Sequence, residues 1–152
     1  MDKIILHPDF RDFLKLLNSQ NVKYLMVGGY AVGYHGYPRA TGDMDIWIAV
    51  DPDNARKIKK VFCDFGMPAN KITEELFLEK DKIIRMGNPP VCIEVITGAS
   101  GVDFSECYSR REVINIEEIP INFISIDDLI KNKKASVDAN SASSVNGTKA
   151  LA

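Results

Sequence analysis

The chain has 152 residues, 45% of them apolar, with 19 Lys+Arg against 21 Asp+Glu for a formal net charge of −2. That size and composition suit about one globular domain with a real core, and the near-neutral balance excludes a protein that coats nucleic acid through broad positive charge. No run approaches the roughly 18 apolar residues of a membrane helix, and the opening MDKIILHPDF, acidic at once, is expected to carry no secretory signal.

Residues Pro8 to Gln20 set Phe10, Phe13, Leu14, Leu16 and Leu17 near the i, i+3, i+4, i+7 spacing. This predicts an amphipathic helix with Pro8 in its first turn. Tyr24 to Val27 is a short apolar run stopped by Gly28-Gly29 and reads as a buried strand. Tyr30 to His35 reads as one or two helical turns, ended by Gly36-Tyr37-Pro38. From Asp43 to Val50, Met44, Ile46, Ile48 and Val50 alternate with Asp43, Asp45, Trp47 and Ala49. That period of two marks a strand with two different faces. Asp51-Pro52-Asp53 then opens a second amphipathic helix, Asn54 to Phe65, closed by Gly66.

The following stretch is β-rich. Leu76 to Leu78 and Lys82 to Met86 read as paired short strands, Gly87 to Pro90 as a turn, and Val91 to Ile96 as another strand. Phe104 to Arg111 reads as a short helix, and Glu112–Ile116 with Ile121–Ile124 as a hairpin around Glu118-Ile119-Pro120. Ser125 is placed to cap a helix from Ile126 to about Lys134, with Asp127 and Asp128 in its first turn. Residues 1–134 are expected to form the domain. Residues 135–152, rich in Ser, Asn and Ala, read as a flexible or non-native tail. Helices and strands alternating this way predict a small α/β or α+β domain.

Cys63, Cys92 and Cys107 are widely spaced, with no CxxC pair and only His7 and His35 to accompany them. Neither a disulfide framework nor a structural zinc site is expected, and a reducing cytoplasm is the expected compartment.

The chemistry-bearing candidate is Asp43-Met44-Asp45. Carboxylates at i and i+2 of a strand share a face, with Cα atoms roughly 6.5 Å apart. Such a pair can hold hard divalent cations, which take oxygen ligands. Short acidic pairs also arise by chance, and Asp51/Asp53 and Glu79/Asp81 repeat the spacing in a turn and a charged loop. Only the first is followed by an apolar strand, Ile46-Trp47-Ile48, that would anchor it. Gly28-Gly29 lies upstream, where backbone can approach a phosphate or simply make a tight turn. Arg39-Ala40-Thr41-Gly42 brings a guanidinium and a hydroxyl just before the acids. Glu94 sits within the apolar run Val91 to Ile96, where a carboxylate is costly unless paired, bound to metal, turned to a cleft or exposed at an edge.

The ordered set Val27-Gly28-Gly29, then Arg39-Ala40-Thr41-Gly42-Asp43-Met44-Asp45-Ile46, then Ile93-Glu94-Val95 resembles the DNA-polymerase-beta-like nucleotidyltransferase superfamily. Within it the chain looks most like small stand-alone prokaryotic members of the lincosamide and toxin types, the likeness extending to Gly101-Val102-Asp103-Phe104 and to the segment from Ile124 to Lys133. The resemblance implies a small fold of helices flanking a mixed β-sheet. It implies Mg²⁺-dependent transfer of a nucleoside monophosphate from an NTP to an acceptor hydroxyl, with release of pyrophosphate. Asp43, Asp45 and Glu94 would bind a pair of Mg²⁺ ions, with Glu94 also the natural general base. Gly28, Gly29, Arg39, Thr41, Lys131 and Lys133 would contact the nucleotide, ATP or another NTP. The acceptor is left open among antibiotic, tRNA, protein and small metabolite, and a cognate antitoxin or other protein partner is implied by the toxin-type likeness. No membrane association is expected.

The chain departs from the superfamily in two places. Position 30 is Tyr30 where many members carry Ser, and the lysine-bearing helix runs into Ala135-Ser136-Val137-Asp138 rather than a charged segment. The second departure motivates an alternative, a weakly active or inactive nucleotide-binding domain of the same fold acting through a protein partner. A plain structural domain with solvated acids is the third reading.

Overall fold

A computed structural model describes residues 6–36, 42–88 and 91–142. Helix α1 (Pro8–Ser19) starts with proline at its first position and with His7 Nδ1 accepting from the Asp9 amide at 3.1 Å. It buries Phe10, Phe13, Leu14 and Leu17, the stripe its spacing predicts. Strand β1 (Tyr24–Val27) is buried throughout and passes directly into α2 (Gly28–Tyr34). Strand β2 (Asp43–Ile48) follows, then α3 (Pro52–Asp64), capped by Asp51 Oδ1, which accepts from the Asn54 amide at 2.8 Å. The α3 side chain Phe62 meets Phe13 edge-on at 5.8 Å, joining the two amphipathic helices.

Strands β3 (Ile83–Asn88) and β4 (Val91–Ile96) form an antiparallel pair. Helix α4 (Phe104–Ser109), the hairpin β5 (Glu112–Ile116) and β6 (Ile119–Phe123), and α5 (Ile126–Ala142) complete the described chain. The six strands make one mixed sheet in the order β3-β4-β2-β1-β6-β5. Strands β2/β4 and β1/β6 run parallel, and the other neighbours antiparallel. The expected α/β architecture, a mixed sheet flanked by helices, is the observed one.

Register sorts the side chains by face. Met44, Ile93 and Met86 are successive partners across β2, β4 and β3. A small hollow lined by Phe10, Phe65, Met86 and Ile93 places α1 and the end of α3 over that face. The opposite face carries Asp43, Asp45 and Trp47, since residues two apart share a side. There Trp47 is buried against Phe104 of α4, edge-on at 5.1 Å. The acidic face is therefore covered by α4 at its far end, while Asp43 and Asp45 are partly buried at the near end of β2.

Four local expectations change, the first being that Gly87 and Asn88, expected in a turn, are paired in β3. Leu76–Leu78 is not a strand: Glu74–Phe77 is a 3₁₀ turn that buries Phe77 against Phe62 at 5.0 Å, while Leu78 is exposed. Both edges of β4 are already paired, by β3 and β2, so no further strand is needed there. The hairpin turns at Glu117 and Glu118, with φ of 51° and 68°, and Pro120 lies inside β6. Two positive φ values suit the tight two-residue hairpin loop, although glycine or asparagine usually supplies them. Helix α5 does not stop near Lys134 but continues to Ala142, with Ser136 buried. Among the described residues no helix is long and apolar enough to cross a membrane.

Candidate active site

Strand register builds a row of functional groups across the sheet. Asp45 is the partner of Glu94 on the parallel strand β4, and Glu94 is the partner of Arg85 on the antiparallel strand β3. On its other side Asp45 pairs with Val27, the last residue of β1, after which the chain turns at Gly28. Arg85, Glu94, Asp45 and the Gly28 turn thus stand side by side at one level. Asp43, two residues before Asp45, adds a second carboxylate to the same face. Glu94 is not at an edge, because β4 lies between β2 and β3.

The electrostatics follow from this crowding. Burial first, then the neighbouring Glu94 and Asp43 carboxylates, push the Asp45 carboxyl up to about 7, with Lys133 of α5 pulling the other way. Like charges held together in a half-buried site disfavour joint ionisation. The Glu94 carboxylate is also held from the far side: Arg85 Nε donates to Oε2 at 2.8 Å, and Arg85 Nη2 lies 2.7 Å from the same oxygen. The Glu94 side chain is only 13% exposed, against 46% for Arg85. Glu94 is therefore bracketed, Asp45 on one side and a guanidinium on the other.

Gly28 takes φ of 67°, in the left-handed region that glycine enters without strain, and both Gly28 and Gly29 are buried. Arg39 and Thr41 lie outside the described residues. The two lysines part company. Lys133 faces the acids closely enough for its charge to act on Asp45. Lys131, two residues earlier and so on another side of the helix, lines a separate cavity of about 460 Å³ with Asp103, Glu106, Arg110 and Asp128. Arg85 is the residue that sequence reasoning missed. In sequence it is only the arginine of the expected strand Lys82 to Met86, with nothing local to tie it to Glu94.

No family model and no curated protein matches the chain. Among solved structures it is similar to the crystal structure of a "putative nucleotidyltransferase" (TM1012) from Thermotoga maritima, at 13% identity and a TM-score of 0.63. The match spans 93% of this chain and 92% of that one. The fold is shared. At that identity the likeness speaks for architecture alone, and the chemistry rests on the side chains.

Those side chains suit a hard divalent cation in kind. Carboxylate oxygens are the donors such ions take, and a carboxyl whose ionisation is suppressed by its neighbours gains from a nearby cation. As they stand the groups are not closed into a cage. Among the described residues no three His, Cys, Asp or Glu side chains gather tightly enough to hold a metal ion.

Proposed function

We propose that this protein is a nucleotidyltransferase, moving a nucleoside monophosphate from an NTP to an acceptor hydroxyl and releasing pyrophosphate. The observation that carries the reading is the register row, in which Asp45 and Glu94 face each other with Asp43 on the same side and the Gly28 turn beside them. The shared fold with TM1012 supports the same class.

In this reading Asp43, Asp45 and Glu94 hold Mg²⁺, which when bound supplies charge neutralisation for the phosphates and for the oxygens that attack and leave. Asp43 and Asp45, on a strand anchored by buried Ile46, Trp47 and Ile48, orient the triphosphate rigidly. Glu94, the least solvent-accessible of the row's charged pair, accepts the proton of the incoming hydroxyl. The Gly28-Gly29 turn lets backbone approach a phosphate without a side chain between. Lys133 balances the negative charge from the α5 side.

The test is transfer of label from each α-³²P-labelled NTP, with Mg²⁺, to separated pools of small molecules, RNA and protein. Label entering one pool, with Asp45→Asn at least about a hundredfold slower, is the expected result, because even outer groups around a metal cost 10–100-fold. Tight Mg·NTP binding with no transfer to any pool would replace this reading with its alternative. That alternative is a nucleotide-binding domain acting through a protein partner, and the hold of Arg85 on Glu94 favours it.

A further inference from the structure

We infer that Arg85 is a built-in counter-cation that occupies Glu94 in the metal-free protein and sets how tightly the acidic row takes a divalent ion. The inference rests on the proposed cation site. It adds a positioning residue that acts on the site through Glu94.

Three geometric facts converge on this role. First, Arg85 and Glu94 are register partners on adjacent strands, so the sheet itself delivers the guanidinium to the carboxylate. Second, two guanidinium nitrogens converge on one oxygen, Oε2, at 2.8 and 2.7 Å, the charge-assisted contact expected of a firm hold. Third, Arg85 approaches from the β3 side while Asp45 lies on the β2 side. An ion drawing Asp43, Asp45 and Glu94 together must therefore share the Glu94 carboxylate with Arg85 or displace it.

Energetically the latch can open. Arg85 is nearly half exposed, so a released guanidinium returns to water rather than to an apolar interior. The exchange trades one cation on Glu94 for another, and the net charge of the row stays nearly balanced in both states. Removing the guanidinium charge while keeping a polar side chain therefore raises cation affinity specifically through Glu94.

The experiment is titration of the metal-free full-length chain with Mn²⁺ by electron paramagnetic resonance, for the natural protein, Arg85→Gln, Glu94→Gln and the double variant. Arg85→Gln is expected to bind Mn²⁺ about two- to fivefold more tightly, the scale of a partly exposed charge pair. The gain should vanish when Glu94→Gln is the background. Equal or weaker binding by Arg85→Gln overturns the latch, as does a gain that survives in the Glu94→Gln background, which marks a diffuse charge effect. If neither the natural protein nor Arg85→Gln binds Mn²⁺, both the cation site and the latch fall. A second readout uses nuclear magnetic resonance of the arginine Nε–H groups: the Arg85 signal should lose its hydrogen-bonded position as Mg²⁺ saturates the site. A signal unmoved at saturation overturns the proposal.

Discussion

Asp45 and Glu94 are direct partners on two parallel strands, and after burial it is the Glu94 carboxylate that raises the pKa of the Asp45 carboxyl. Parallel pairing puts both carboxylates on one side of the sheet at one level. The acids are thus gathered by the backbone ladder of two central strands, before any ligand contributes.

That crowding has a consequence for the metal-free fold. Asp45 holds its proton up to about pH 7, mainly through burial and then through Glu94 and Asp43, whereas an unfolded aspartate releases it near pH 4. Between those values the folded state binds more protons than the unfolded one, so stability falls as pH rises through the window. Asp45→Asn should flatten the slope and stabilise the metal-free protein at pH 8, by on the order of 2 kcal/mol. Urea unfolding in a chelator at pH 5 and pH 8 measures both slopes. Identical slopes for the two proteins would contradict the crowding.

The parting of Lys131 and Lys133 gives a second prediction, tied to nucleotide binding. Lys133 acts on Asp45, whereas Lys131 lines the cavity on the Arg110–Asp128 side. Lys133→Ala should weaken Mg·NTP affinity by about tenfold, the scale of one charge-assisted contact, while Lys131→Ala should leave it within about twofold. Isothermal titration decides it, and equal losses would mean the lysines act as one patch.

Much of this site was legible because its pieces are local patterns. The alternation through Asp43 and Asp45, the glycine pair after an apolar run, and Glu94 amid apolar neighbours each survive as single-element signals, and the structure puts them side by side. Arg85 was not legible because its role depends on which strand β3 pairs with, a register that no single segment encodes. The lysines looked like one cluster because they are close in sequence, yet a helix turns neighbours two apart to different sides. The Glu117-Glu118 turn hid because glutamate carries no preference for positive φ. The extension of α5 hid because Ser, Ala and Asn give a weak helical signal, and packing supplies what propensity does not.

Away from the acids, Asp128 ties α4 to α5. It is buried, accepts from Arg110 Nε at 3.1 Å and Arg110 Nη2 at 3.0 Å, and takes the Ser125 hydroxyl at 3.0 Å. The Arg110 bonds, foremost, hold its carboxyl below the usual range. A depressed folded value means this contribution is present above about pH 4 and is lost as pH falls through that lower value. Asp128→Asn should remove this acid-side loss and destabilise the neutral-pH fold by about 1–3 kcal/mol, the cost of a broken charged hydrogen-bond set. Thermal unfolding from pH 3 to pH 7 reads both effects. A variant as stable as the natural protein at pH 7 would show that the network is ornamental.

The stretch beyond Lys134 can be tested through Gly101. Its φ is +76°, and a Cβ there would collide with Ala135 Cβ and come within 3.3 Å of the Lys131 carbonyl oxygen. Helix α5 thus lies against the Gly101 backbone beyond the point where its sequence pattern fades. Gly101→Ala should cost about 2–3 kcal/mol, combining the left-handed φ with overpacking. Adding Ala135→Gly removes the Cβ collision but not the φ strain, so the double variant should recover part of the loss and remain about 1 kcal/mol below the natural protein, after allowing for the helix cost of the new glycine. Chemical denaturation of the four proteins completes the cycle. Additive losses would mean residue 135 does not touch Gly101, and that the helix past Lys134 contributes nothing to the fold at this point.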